Sequence, residues 1–432
     1  MTQRAPERPV GGLVFASARI APARFAAARA HAVRSGLFVE RDGSCVVGWG
    51  EAARLELPLG LEDPSGVAEL TARLAAISPW AGRDEGAVPG PLALGSLAFY
   101  PGDWSELVVP AVQVVSTGDE AHATAVGSRE EVADALGRFP FVDSPATPVV
   151  PDRPEDAPPD RFELRSVRSH EDFRERVDRA LEAIRLGAFD KVVLVREVAV
   201  EANRPLRPHH LVERLRALHP SCFSFSLDGF VGASPELLVR RQGCEVVSQP
   251  LAGTVARSGD PDEDRHLAAA LLASQKERAE HRYVVDAIVE ALAPYCDSVD
   301  APDVPHLLAL RNVAHLATRV TGSLHEDARA GALELLAAVH PTPAVGGSPR
   351  DRALDYLRKS EELDRGRFAG PVGWVRADGD GEWWIGIRSA LVDGTRARLL
   401  AGVGIVEGSD PASELAETQL KLQALLAVAV RP

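Results

Sequence analysis

The sequence predicts an α+β fold in one large domain, built on largely antiparallel sheet. Three observations point there. Strand-like segments come in neighbouring runs instead of alternating strictly with helices, which disfavours a doubly wound parallel sheet. Asp-Gly pairs at 228–229 and 393–394 lie between such runs, as tight turns between antiparallel strands require. The 432 residues are 45% hydrophobic, which is ample for a large core.

In chain order, the first part reads as scaffold sheet and helices. Residues 37–40, 45–50 and 107–115 are strand-like, and 67–77 carry a helical pattern. Residues 144–160 are dense in proline and read as a linker or long surface loop. They separate an N-terminal portion, 1–143, from a region, 161–432, that holds the polar constellations. There, Ser169 is placed to cap a helix, with Asp172 three residues on. Phe173, Val177, Leu181 and Ile184 then share one face, and Gly187 ends the helix. Residues 191–200 read as a strand, as do 222–227 and 236–241, with Asp228-Gly229 between the last two. Residues 264–295 form one long helical pattern. Residues 382–392 and 398–406 look like paired strands, and 413–430 like a final helix.

Composition excludes several function classes. Lys plus Arg number 48 against 62 Asp plus Glu, a net charge of −14, so no nucleic-acid partner is expected. No stretch approaches the roughly 20 apolar residues of a membrane helix. The first residues lack an apolar signal core, so a cytoplasmic protein is expected. Cys45, Cys222, Cys244 and Cys296 are scattered and read as reduced thiols, not as a disulfide frame or a zinc site. The spacing from Gly402 to Gly408 is GxGxxxG with no helix opening on it, which is not a dinucleotide fingerprint.

Some residues carry possible chemistry. Glu277 and Glu280 lie three apart on a helix, as do Glu414 and Glu417, with Lys421 four residues further on. Two such faces could hold one hard divalent cation such as Mg²⁺, but acids at this spacing are also ordinary solvated helix surface. Glu236 opens an apolar run, where burial would raise its pKa and make it a general acid; a strand-edge glutamate is the plainer reading. Lys191 precedes four apolar residues, where burial would make it a usable base, or else it is an exposed strand end. Arg388 lies on an apolar strand, with alternation placing Trp384, Gly386 and Arg388 on one face. It needs a carboxylate partner, from protein or ligand. His315 reads as a core histidine, and Gly253-Thr254 as a turn or a close backbone approach to a ligand.

Taken together, DKVVLVRE, FVGASPELLV, QPLAGT, SQKERAEHRYVVD, HLATRVTG, HPTPAVGGSPR, GPVGWV, IGIRSALV and AGVGIVEGSDPASELAETQLKL resemble the chorismate-utilising enzymes. The likeness is greatest to the isochorismate synthase branch and runs from about Phe173 to the C-terminus. GSLAFYPGDWSELVVP in the first part is similar to that branch too. The resemblance implies the chorismate-binding, anthranilate synthase component I-like fold, with the first part integral to it and the active site in a deep cleft. It also implies roles. Glu280 and Glu417 would ligate Mg²⁺ directly, and Glu277 and Glu414 through water. Lys191 would be the base that activates water, and Glu236 the acid that protonates the departing hydroxyl. Arg388 would contact the enolpyruvyl carboxylate. Gly253, Thr254, His315, Ile387, Gly402 and Lys421 would complete the substrate site.

Three positions mark branches within the family. Lys191 argues against the aminating relatives, which carry glutamine there and work with an amidotransferase; no such subunit is expected, and a monomer is. Ala344 argues against salicylate synthases, which usually carry threonine. Phe368 stands where relatives commonly have tyrosine. The resemblance is equally compatible with menaquinone, siderophore and salicylate biosynthesis.

Overall fold

Runs of Val, Leu and Ala with buried residues on both faces build two large sheets, so most strands are sandwiched between layers. The computed structural model describes residues 10–80, 90–138, 140–141, 157–311, 313–326 and 330–430. Most of the proline-dense segment, 144–156, lies outside them.

The larger sheet runs in the order Phe162–Ser166, Lys191–Ala202, Arg396–Val406, Ser389–Asp393, Phe230–Ser234, Phe223–Leu227, Leu37–Arg41, Ser44–Trp49, Val112–Thr117, Glu120–Gly127, Val14–Arg19 and Ser78–Pro79. Only the last of these pairs is parallel. The second sheet runs Cys296–Asp300, Val320–Leu324, Glu245–Gln249, Leu237–Gln242, Gly381–Ile385, Pro371–Arg376, Leu92–Ser96, Ser105–Val109 and Ala53–Leu57. A small third sheet joins Leu251–Ala256, Val313–Ala317 and His306–Ala309. In each large sheet the two parts of the chain contribute one block of strands apiece, and the blocks pair edge to edge at a single junction. Phe225 pairs with Val39, and Trp374 with Leu94. The α+β, largely antiparallel architecture expected from the sequence is therefore present.

Several segments differ from the sequence expectation. The helical pattern over 264–295 is two helices, Pro261–Ala273 and Gln275–Leu292. Ser274 breaks it by taking an extended ψ of 113° and capping the second helix, its hydroxyl accepting the Glu277 N–H at 3.3 Å. The Asp228-Gly229 turn, both residues at positive φ, joins Phe223–Leu227 to Phe230–Ser234, a strand not anticipated. Leu237–Gln242 belongs to the other sheet. Residues 382–392 are likewise not one strand. Gly381–Ile385 lies in the second sheet and Ser389–Asp393 in the larger, so the expected alternation of Trp384, Gly386 and Arg388 on one face is wrong. Residues 107–115 split at Pro110 in the same way. The strand from Lys191, the helix His170–Arg185 capped by Ser169 and the final helix Pro411–Ala429 follow expectation.

The main core packs Phe99, Phe173, Trp383 and Leu55 at full burial. Each such side chain contributes about 1.5–3 kcal/mol by leaving water. No described helix is long and apolar enough to cross a membrane.

Candidate active site

Two chain crossings between the large sheets, and one from the second sheet to the third, build the site. At Ser234-Pro235-Glu236 the chain leaves the larger sheet for the second; proline has no N–H to continue the ladder. At Gly386-Ile387-Arg388 it returns. At Gln249-Pro250-Leu251 it passes to the third sheet, two residues before Gly253. These three breaks deliver Glu236, Ile387 and Arg388, and Gly253 and Thr254 to one cavity of about 230 Å³. Lys191, first residue of its strand, and Gly402, on the strand paired with it, line the same cavity. Glu277 and Glu280 enter from the helix Gln275–Leu292. Glu414, Glu417 and Lys421 enter from the helix Pro411–Ala429. His315, Ala344 and Phe368 complete the wall, so every residue singled out from the sequence meets the others here.

Glu236 is buried and receives one backbone N–H bond, from Leu251 at 3.3 Å. Burial raises its pKa to about 7, against the pull of that bond and of Lys191, Arg388 and Lys421. Burial moves Lys191 the other way, below the usual lysine range. Glu280 opposes that shift and Lys421 adds to it. The two groups thus approach each other in proton affinity, as an acid and base sharing one site at neutral pH must. Lys421 donates to Glu417 at 2.7 Å and to the Gly402 carbonyl at 2.9 Å, which aims it along the cavity floor.

Arg388 adopts a left-handed backbone, φ 49°. An arginine gains nothing intrinsically from that conformation. It is held by its carbonyl accepting the Ala233 N–H at 3.2 Å and by the Ser389 hydroxyl donating to the Gly386 carbonyl at 3.0 Å. The guanidinium donates through Nη2 to His315 Nε2 at 2.7 Å, while Nη1 is buried without a hydrogen-bond partner. Burial, helped by the Arg388 and Lys421 charges and opposed by the bond to the Gly253 carbonyl, lowers the His315 pKa to about 3.

Among the lining residues that the sequence reading did not single out, Gly404 and Arg365 have defined roles. A Cβ on Gly404 would stand 2.8 Å from Lys191 Cε, so the glycine is the floor on which the lysine stem lies. The GxGxxxG spacing held that signal, visible only once the strand pairing is known. Arg365, fully buried, joins three segments. It donates to Glu361 at 2.6 Å, to the Val193 carbonyl at 2.6 Å and to the Val345 carbonyl at 3.0 Å. Glu361 in turn accepts the Val195 N–H at 3.1 Å. The pair clamps the Lys191 strand to the loop bearing Ala344.

Among the described residues no three carboxylates or imidazoles already converge on one point as a closed metal cluster. The four glutamates instead face the cavity from two helices, an all-oxygen donor set. That set suits Mg²⁺, which keeps several waters and takes one or two protein carboxylates directly.

Comparison with known proteins accords with the fold. The salicylate biosynthesis isochorismate synthase of Pseudomonas aeruginosa is 44% identical over 267 residues, 60% of this chain and 55% of its own length. The chain thus matches little more than half of that relative. Isochorismate synthase DhbC of Bacillus subtilis is 40% identical over 276 residues, 61% of this chain and 69% of DhbC. The solved structure of MenF, the menaquinone-specific isochorismate synthase from Escherichia coli, superposes with a TM-score of 0.79 at 25% identity. It covers 100% of this chain and 97% of MenF. Anthranilate synthase component I from Streptococcus pneumoniae shares the fold, with a TM-score of 0.71 at 23% identity over 89% of this chain and 92% of its own. The family model for chorismate binding enzymes matches residues 3–430, and the chain belongs to that family.

Proposed function

We propose that this chain is an Mg²⁺-dependent isochorismate synthase, which adds water at C2 of chorismate as the C4 hydroxyl leaves. The observation that carries the reading is the opposed shift of Lys191 and Glu236 within one cavity. Lys191, neutral in the active form, takes a proton from water as its oxygen bonds to C2. Glu236, protonated, gives its proton to the departing C4 oxygen, which leaves as water. The ring double bonds shift between these two events, and proton exchange with solvent resets both groups. Arg388 offers a guanidinium fork to one carboxylate of the dianionic substrate. Glu280 and Glu417 would hold Mg²⁺ directly, and Glu277 and Glu414 through water. The ion would supply a Lewis acid at the ring carboxylate.

The reading favours isochorismate as the released product, because Lys191 supplies the base for water and Ala344 stands where salicylate synthases usually carry threonine. A cytoplasmic monomer without an amidotransferase subunit, serving menaquinone or siderophore biosynthesis, is part of the same proposal. The test is incubation of the full chain with chorismate and Mg²⁺, with chromatography and a pyruvate assay. Isochorismate without pyruvate is expected, and Lys191→Ala should lose about 10²–10⁴-fold in kcat, as removal of a general base does. Absence of isochorismate, or full activity in that variant, overturns the proposal.

A further inference from the structure

The cavity wall holds a directed hydrogen-bond chain whose polarity is fixed by one member. Arginine has only donors and keeps its proton in proteins. Its 2.7 Å contact therefore makes His315 Nε2 the acceptor, so the ring is unprotonated at that nitrogen. A neutral ring then carries its proton on Nδ1, which lies 3.0 Å from Thr254 Oγ1 and 3.3 Å from the Gly253 carbonyl. Thr254 Oγ1, accepting from Nδ1–H, keeps its own hydrogen to donate. Every arrow in the chain runs from Arg388 towards Thr254. Unused donors are left at both ends: the buried, unpartnered Nη1 of Arg388 and the Thr254 hydroxyl, on two residues that line the cavity.

We infer that His315 is a positioning residue that acts as a neutral Nδ1–H imidazole. It rotates the Arg388 fork and the Thr254 hydroxyl so that only donors meet the substrate's enolpyruvyl carboxylate. The buried guanidinium costs energy unless its donors are met. His315 meets one of them and the Cys222 thiol also bonds the guanidinium, but Nη1 is left without a partner. The inference rests on the chorismate reading for the identity of the carboxylate but not for the chain itself.

The experiment compares His315→Leu, His315→Gln and Arg388→Ala with the full-length parent. Steady-state kinetics on chorismate are read beside histidine ring ¹⁵N spectra of the parent and Arg388→Ala. The leucine variant should raise KM roughly tenfold with kcat within about twofold, because a carboxylate contact is made equally in ground and transition states. Glutamine keeps an acceptor for Arg388 and should recover most of that loss. Adding His315→Leu to Arg388→Ala should change KM little further, since the two act as one unit. The parent's ¹⁵N spectrum should show one histidine in the Nδ1–H tautomer that shifts in Arg388→Ala. Additive effects of the two substitutions, no recovery by glutamine, or the opposite tautomer would overturn the inference. If the leucine variant does not fold, the glutamine variant and the spectrum decide alone. A parent with no turnover on chorismate sinks the proposed function, while the tautomer still tests the chain.

Discussion

At the scale of residues, burial does most of the chemistry. Glu236 is pushed up to about 7 because its carboxylate loses water and gains a single backbone N–H in return. The same shift makes the protein pay in stability. In the unfolded chain a glutamate titrates near 4.3. Between that value and about 7, the folded state binds more protons than the unfolded one. Stability from this group is therefore fully present at low pH and falls as pH rises through that window. Glu236→Gln removes the ionisation, so thermal unfolding should show it more stable than the parent at pH 8, by up to about 4 kcal/mol from a shift of that size. The difference should fade towards pH 4.5, while turnover is lost throughout. A pH-independent gap would mean that Glu236 is not the group responsible. Phe368 offers a gentler test. It is buried in the cavity wall, at a position where the family resemblance implies tyrosine. Phe368→Tyr should lower KM for chorismate severalfold with little change in kcat, since one hydroxyl bond to substrate is worth about 1 kcal/mol. An unchanged KM would show that the hydroxyl finds no substrate atom. Such residues were legible in the sequence because their motifs recur in family order. Gly404 and Arg365 were not, because their roles exist only relative to a strand across the sheet and a loop some 20 residues away.

At the scale of elements, the breaks matter more than the regular segments. Each crossing between sheets ends a ladder and turns a side chain inward: Pro235 releases Glu236, and the Gly386–Arg388 turn releases Arg388. Alternation read through 382–392 missed this, because strand periodicity on either side is intact and nothing local says that the two halves lie in different sheets. The helical pattern over 264–295 concealed a similar break. Ser274 was not recognised as a cap, although Glu277 three residues on gives it the spacing of a capping box, because the helical pattern runs on through both. Its hydroxyl orders the first turn of the helix that carries Glu277 and Glu280. Ser274→Ala should cost about 1 kcal/mol by thermal unfolding. If that turn helps hold Mg²⁺, the concentration needed for half-maximal turnover should rise severalfold. Loss of stability with an unchanged Mg²⁺ titration would separate the cap from the metal.

At the scale of the whole molecule, the proline-dense segment suggested a seam that the sheets do not have. Leu37–Arg41 lies beside Phe223–Leu227 in the larger sheet, and Leu92–Ser96 beside Pro371–Arg376 in the second. The region 161–432 holds every residue of the cavity wall, yet it supplies only part of each of the two large sheets. Cutting the chain at the segment would expose two long strand edges together with Val39-facing Phe225 and the surrounding apolar layer. Exposed edges of that kind pair with other chains instead of standing in water. Residues 161–432 expressed alone should therefore aggregate or bind a hydrophobic dye as a partly folded species. Co-expression with residues 1–143 should restore a soluble, chorismate-responsive complex, because the two pieces re-form the ladders across their common boundary. A soluble 161–432 fragment with cooperative unfolding and full turnover would show instead that the first part is dispensable cladding. The net charge of −14 sharpens the stakes of that comparison. An acidic protein repels a dianion at long range, so the proposed substrate would have to be drawn in by Lys191, Arg388, Lys421 and the cation that the glutamates would recruit. Those groups come from helices and strands that only the complete pair of sheets holds in register.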